Sequence, residues 1–80
     1  MIMNTLNQKD IRTLISEGNF NEVTNRYKKI VEIEPNNYKA YNNLGNALKE
    51  LGKLKEAATS YRQAIKIKSD YTKAHFNLGN

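Results

Sequence analysis

Asparagine side chains recur at a fixed spacing along this chain. Asn43 and Asn77 are 34 residues apart, and so are Asn46 and Asn80. A side-chain amide carries two hydrogen-bond donors and an acceptor, so it can hold a peptide backbone without reading the side chains attached to it. The spacing makes these asparagines candidates for recognising a peptide. Asparagines that hold neighbouring helices together, or that stay solvated, would give the same pattern.

Side chains suited to catalysis or metal binding are scarce. His75 is the one histidine and the chain has no cysteine, so these side chains cannot complete a metal site or a catalytic triad. The four glycines do not cluster into a phosphate-binding loop. We therefore expect no enzyme activity, no bound metal and no cofactor.

Basic residues exceed acidic ones, 13 against 8, which gives a formal charge of +5. Five of them, with Glu56 as the only acid, form a basic stripe: Lys53, Lys55, Arg62, Lys66 and Lys68. Such a stripe can attract phosphates without reading bases. No aromatic platform accompanies it, so a solvated helix face is favoured over binding to nucleic acid or to an anionic surface.

An internal repeat of 34 residues organises the whole chain. Residues 39–46, KAYNNLGN, recur as residues 73–80, KAHFNLGN, with six of the eight positions identical. The same offset relates Gly18 to Gly52 and Tyr27 to Tyr61. A period shared by so many positions is typical of repeat architectures.

Each repeat predicts two helices. Apolar residues at spacings of three and four form one stripe over residues 40–51 and another over residues 54–65. Gly52 separates them, where glycine favours the left-handed conformation that ends a helix. Pro35 predicts the break between repeats, with an asparagine capping the next helix, and Asp70 is expected to cap the helix that follows the second stripe. Because the connections within a repeat are short, each helix pair must fold back antiparallel.

Small residues explain how the second pair closes. Gly45 and Ala57 allow two helix backbones to approach, and Tyr61 and Leu48 fill the space beside them. A glycine inside a helix costs about 1 kcal/mol relative to alanine, so Gly45 calls for a packing reason. We expect Tyr61 to be buried between the two helices.

These residues resemble the tetratricopeptide repeat (TPR) family. The middle unit carries the matching signature: Tyr41, Leu44-Gly45, Leu48, Gly52, Ala57, Tyr61 and Ala64. Ser69 replaces the usual proline, and the first unit has Asp10 and Ile11 in place of the Leu-Gly pair. The resemblance implies an all-α fold, a short solenoid of two antiparallel hairpins plus a short fifth helix. Its units are a degenerate first hairpin at residues 4–37, a well-formed hairpin at 38–71 and the first-helix stub of a third repeat at 72–80.

Proteins of this family act as scaffolds, and their first helices line a concave groove. The resemblance therefore implies a protein–protein interaction module that binds an extended peptide or a partner helix. Residues off the packing stripes are expected to line the groove: Arg12, Lys39, Asn42, Asn43, Asn46, Lys49, Lys73 and Asn77. The asparagines look like the ladder in the repeats of O-linked N-acetylglucosamine transferases. The carboxylate clamp of some family members keeps only Asn43 and Lys73 here, since Gln8, Arg12 and Asn77 replace its other side chains.

A self-associating fragment of a longer array is the main alternative. Two units and a nine-residue stub leave apolar surface uncovered, so we expect a homo-oligomer formed through the C-terminal end. Because Ser69 does not forbid a helix, residues 54–68 and 71–80 could also fuse and exchange the stub between copies. The sequence shows neither a secretory signal nor a bilayer-spanning run, so a cytoplasmic location is expected.

Overall fold

The computed structural model describes residues 9–79, which form five helices and no strand. The helices are α1 (Ile11–Ser16), α2 (Phe20–Ile33), α3 (Tyr38–Glu50), α4 (Leu54–Ile67) and α5 (Thr72–Leu78). They confirm the predicted all-α helical repeat. Residues 4–8 of the predicted first hairpin, which include Gln8, and Asn80 of the stub lie outside the described residues.

Two glycines end the first helix of each pair in the same way. Gly18 and Gly52 have φ angles of 73° and 77°, which lie in the left-handed region that costs glycine nothing. After Gly52, the Lys53 N–H donates back to the Leu48 carbonyl oxygen at 2.9 Å. The first hairpin repeats this bond after Gly18. These caps satisfy the open carbonyl groups and reverse the chain, as the sequence predicted.

The sequence predicted the N-cap of one helix correctly and that of another wrongly. Asn37 Oδ1 accepts a hydrogen bond from the Ala40 N–H at 2.9 Å and caps α3. The prediction that Asp70 caps α5 is wrong, because Tyr71 stands at the N-cap position of α5 and makes no side-chain hydrogen bond there. Asp70 stands one residue too early, and its carboxylate pairs with the Lys68 ammonium at 3.0 Å instead.

Helix α3 is the centre of the core, because it contacts α2, α4 and α5. One buried cluster lies between α3 and α4: Leu44, Leu48, Ala57 and Tyr61. A second cluster joins α1, α2 and α3: Leu14, Val23 and Ala47. Tyr61 is 2% exposed, which confirms its predicted burial.

The expected apolar stripe of α4 does not begin where the sequence placed it. Leu54 is 64% exposed, although it was counted in the buried stripe. It borders a depression of about 130 Å³ together with Leu78 of α5. Leu54 is the first residue of α4, and the side chains described around it leave this depression open.

The break between α4 and α5 forms without a proline. Pro35 and Ser69 occupy the same position in two similar turns, in which the Tyr71 N–H donates to the Lys68 carbonyl oxygen at 3.1 Å and the equivalent bond at Pro35 measures 3.0 Å. His75 Nε2 lies 2.8 Å from the Ser69 carbonyl oxygen and ties α5 to the turn. The fused helix considered above is therefore not the conformation of this structure.

Candidate functional site

Three adjoining depressions follow α1, α3 and α5. One of about 480 Å³ lies at α1 and α2, one of about 380 Å³ lies among α1, α2 and α3, and one of about 390 Å³ lies between α3 and α5. Ile15 and Tyr27 line the first two, and Asn43 and Asn46 line the last two. Because neighbouring depressions share these side chains, they form one continuous surface, which we call the α1–α3–α5 face.

A hydrogen-bond network ties three of the predicted asparagines together. Asn77 Nδ2 donates to Asn42 Oδ1 at 3.0 Å and to Asn46 Oδ1 at 3.2 Å. The Tyr61 hydroxyl donates to the same Asn46 oxygen at 2.7 Å. The network joins α3, α4 and α5, so these asparagines do hold neighbouring helices together. Asn42 is only 3% exposed within it, because α5 packs over a side of α3 that was expected to face the groove.

The network still leaves amide groups for a bound molecule. The Asn46 oxygen already accepts two hydrogen bonds, which leaves its N–H₂ group, and Asn46 is exposed. The Asn77 N–H₂ group already donates twice, which leaves its oxygen as an acceptor. Neighbouring residues of α3 and α5 thus offer one donor group and one acceptor to the α3–α5 depression.

Asn43 stands apart from this network. It is partly exposed, and its amide lies beside the hydroxyl of Tyr27. Burial raises the pKa of the Tyr27 phenol above its ordinary value, and the neighbouring Asn43 amide opposes part of that rise. Asn43 therefore lines two depressions without taking part in the network that joins the helices.

The predicted basic residues divide into two groups. Arg12, Lys49 and Lys73 are exposed and line the depressions. Lys39 is exposed on the first turn of α3 but is not among the residues that line these three depressions. The ion pairs described for residues 9–79 include none of these four cations.

Sequence reasoning missed the contribution of Tyr27. Tyr27 matches Tyr61 across the repeat, yet it is only partly buried and lines two of the depressions. The signal was available in the sequence, because Ile11 stands where the second hairpin has Gly45. Without the glycine, a tyrosine cannot pack on the first helix in the same way.

Comparison with known families agrees with the fold. Residues 27–59 match a family model described as tetratricopeptide repeat, and residues 45–80 match one described as TPR repeat. Both models describe tetratricopeptide repeats, and together their matches span residues 27–80. Such repeats generally mediate protein–protein interaction and typically serve as non-catalytic scaffolds. Neither match points to O-linked N-acetylglucosamine transferases in particular, and no curated protein matches the chain significantly.

Helix α4 and its two flanking residues carry the basic stripe. Lys53, Lys55, Arg62 and Lys66 are exposed, whereas Lys68 is partly buried.

Over residues 9–79, no group of three His, Asp or Glu side chains is placed to hold a metal ion. None of the helices described in this range is long and apolar enough to cross a bilayer.

Proposed function

We propose that this TPR chain is a binding module that holds an extended peptide along the α1–α3–α5 face, without catalysing a reaction. The observation that carries the proposal is that the three depressions adjoin through shared side chains, Ile15 and Tyr27 at one junction and Asn43 and Asn46 at the other. One peptide unit offers a carbonyl acceptor and an N–H donor. The remaining donors of Asn46 and the remaining acceptor of Asn77 are complementary to such a unit. This use of asparagine would be similar to the ladder of the O-linked N-acetylglucosamine transferase repeats.

The same amides favour an extended peptide over a partner helix. A helix satisfies its own backbone groups through internal hydrogen bonds, so only its side chains are open to a receptor. An extended peptide leaves its backbone donors and acceptors available. Side-chain amides that keep one donor group and one acceptor are therefore better matched to the extended form.

A displayed library of random peptides, about 12 residues long, tests the proposal. The intact chain is immobilised, the selected peptides are synthesised, and their affinities are measured by fluorescence polarisation. Asn43→Ala should weaken binding by about tenfold or more, because it removes an amide at the junction of two depressions. Asn25→Ala is the matched control, since Asn25 is exposed on α2 and lines a separate depression there.

Two results would count against peptide binding. The first is a selection that enriches no peptide above the background of an immobilised unrelated protein. The second is a set of peptides whose affinities fall equally for Asn43→Ala and Asn25→Ala, since binding would then lie elsewhere.

Self-association through the C-terminal end is a second candidate, favoured by exposed apolar side chains. Leu54 is 64% exposed and Phe76 is 80% exposed, and large exposed apolar groups often mark interaction surfaces. A second copy of the chain would cover them. Light scattering over a wide concentration range should then show a rising mass that Leu54→Ser with Phe76→Ser abolishes. A monomeric mass at the highest concentration would exclude this candidate.

A further inference from the structure

The two hairpins place their matching tyrosines differently. In the second hairpin the Tyr61 ring lies on Gly45, so close that a Cβ at position 45 would come within 2.5 Å of the ring atom Cε1. In the first hairpin the equivalent position is Ile11, which has a side chain where Gly45 has none and so cannot offer Tyr27 the same close approach. Tyr27 is accordingly only partly buried, whereas Tyr61 is 2% exposed.

The space beside Tyr27 is the depression of about 380 Å³ among α1, α2 and α3, which we call the Tyr27 pocket. Its apolar lining comes from all three helices: Ile15, Phe20, Val23, Tyr27 and Ala47. Polar side chains of α3, among them Asn43, complete its wall. Pockets of about 300–1,000 Å³ with an apolar lining and a few polar groups are typical of sites that enclose a ligand group.

We propose that the Tyr27 pocket receives one large apolar side chain of the bound peptide, and that acidic residues flank this side chain in the peptide. The inference rests on the proposed function. Asn43 and Asn46 line both the pocket and the α3–α5 depression. A peptide whose backbone contacts these two amides therefore passes directly over the pocket, where burial of an apolar side chain is favourable.

Charge along the face defines the chemistry of the flanking residues. Arg12, Lys49 and Lys73 are exposed on it and belong to none of the ion pairs described for residues 9–79. Of the acids nearby, Asp10 is engaged as the N-cap of α1, and Glu50 stands on the pocket wall. Because its hydrogen bond does not remove the charge of Asp10, the face carries three cations against these two carboxylates, and an acidic peptide is more complementary to it than a basic one.

A pair of matched substitutions tests the pocket with the selected peptides. Ile15 is 46% exposed at the pocket and Ile33 is 77% exposed outside it, so both positions accommodate a larger side chain. Ile15→Trp should fill the pocket and weaken binding by about tenfold or more, whereas Ile33→Trp should leave the affinity unchanged. Replacing the apolar residue of the peptide by alanine should lower the affinity for the parent chain by a similar factor. The same replacement should change the affinity for Ile15→Trp only a little.

The charge prediction has its own control. Lys49→Glu should weaken the selected peptides by about tenfold at low salt, and the loss should shrink at 1 M salt because ions screen exposed charges. Lys28→Glu makes the same change on the exposed surface of α2 and should have a smaller effect. Selected peptides without acidic residues, or equal losses for the two variants, would overturn the acidic flank.

A small probe separates failure of the pocket from failure of peptide binding. N-acetyl-L-leucine amide, titrated into the methyl-labelled chain, should shift the NMR signals of Ile15, Val23 and Ala47 and leave Ile33 unmoved. Ile15→Trp should abolish the shifts. Peptides that bind well but ignore Ile15→Trp, with no probe shifts, would refute the pocket while the proposed function stands. If the probe binds only after residues 1–8 are deleted, the chain's own N-terminal segment is the occupant and the inference is wrong.

Discussion

The Tyr61 hydroxyl donates a hydrogen bond of 2.7 Å to Asn46 Oδ1, so a residue of the buried core holds a side chain of the candidate binding face. The ring of Tyr61 packs on Gly45 in the same hairpin. The tyrosine therefore has two separable roles, one for its ring in packing and one for its hydroxyl in orienting an amide. Substitutions can distinguish them.

Gly45→Ala should destabilise the chain even though alanine favours a helix. Alanine gains about 1 kcal/mol of helix propensity over glycine. The new Cβ would meet Tyr61 Cε1 at 2.5 Å, and overpacking of this kind costs about 1–3 kcal/mol or more when helices must shift. We expect a net loss in the free energy of unfolding, measured by urea denaturation.

A double substitution tests whether the Tyr61 ring causes the loss of stability expected for Gly45→Ala. In a Tyr61→Leu background the ring is gone, so Gly45→Ala should become neutral or stabilising by up to about 1 kcal/mol. If Gly45→Ala destabilises both backgrounds equally, the contact with the Tyr61 ring does not explain the glycine.

The stability of the chain should fall above pH 10 in a way that depends on Tyr61. Burial raises the pKa of the Tyr61 phenol above its ordinary value, and the negative charge of Glu50 adds to the rise. The unfolded tyrosine loses its proton near pH 10 while the folded one keeps it, so the unfolded state is favoured as the pH rises. The contribution is fully present below pH 10 and is lost as the pH approaches the raised value.

Tyr61→Phe is the control for this effect. It should cost about 0.5–1.5 kcal/mol at neutral pH, since the hydrogen bond to Asn46 is lost. Denaturation curves from pH 8 to 11 should show the advantage of the parent over Tyr61→Phe shrinking above pH 10. An advantage that stays constant over this range would contradict the assignment, because all other titrating groups are common to both chains.

The fold was predictable because its signals are local and repeated. Gly18 and Gly52 end helices through their own backbone conformation, and Asn37 caps α3 through a bond to a residue three positions away. The recurrence of such signals at a spacing of 34 residues indicated stacked hairpins before any contact was known.

The candidate site was less predictable because it depends on contacts between repeats. A single packing stripe places Asn42 on the outside of α3, but α3 contacts three other helices, and Asn77 of α5 closes over Asn42. The prediction for Leu54 was wrong in the opposite sense, since an apolar residue in a stripe stays exposed when no helix covers it. The Tyr27 pocket is lined by side chains of α1, α2 and α3, so it appears only when these three helices are packed together.

Asn77→Ala and Asn43→Ala should affect stability very differently. Asn77 donates two hydrogen bonds, and its loss leaves the buried Asn42 oxygen without this donor, which costs about 1–3 kcal/mol. Asn43→Ala should stay within about 0.5 kcal/mol of the parent, because Asn43 is partly exposed and outside the network. Urea denaturation of both variants checks this. If Asn77→Ala also stays within about 0.5 kcal/mol of the parent, the network does not contribute to stability.

Ser69→Pro should stabilise the chain by about 0.4–1 kcal/mol, because proline restricts the unfolded chain and the similar turn of the first repeat already contains Pro35. The residue before each of these two positions has a similar backbone conformation: Glu34 has φ −124° and ψ 75°, and Lys68 has φ −130° and ψ 95°. Such a conformation is compatible with a following proline. The turn is closed by the Tyr71 N–H and the Lys68 carbonyl oxygen, so the bond that shapes it does not use the Ser69 N–H. Thermal unfolding should show a higher midpoint for Ser69→Pro than for the control Ser69→Ala, which adds no restriction to the unfolded chain. A lower midpoint for the proline variant would mean that residues 67–72 do not form this turn in solution, and that the α4 and α5 segments join there as one helix.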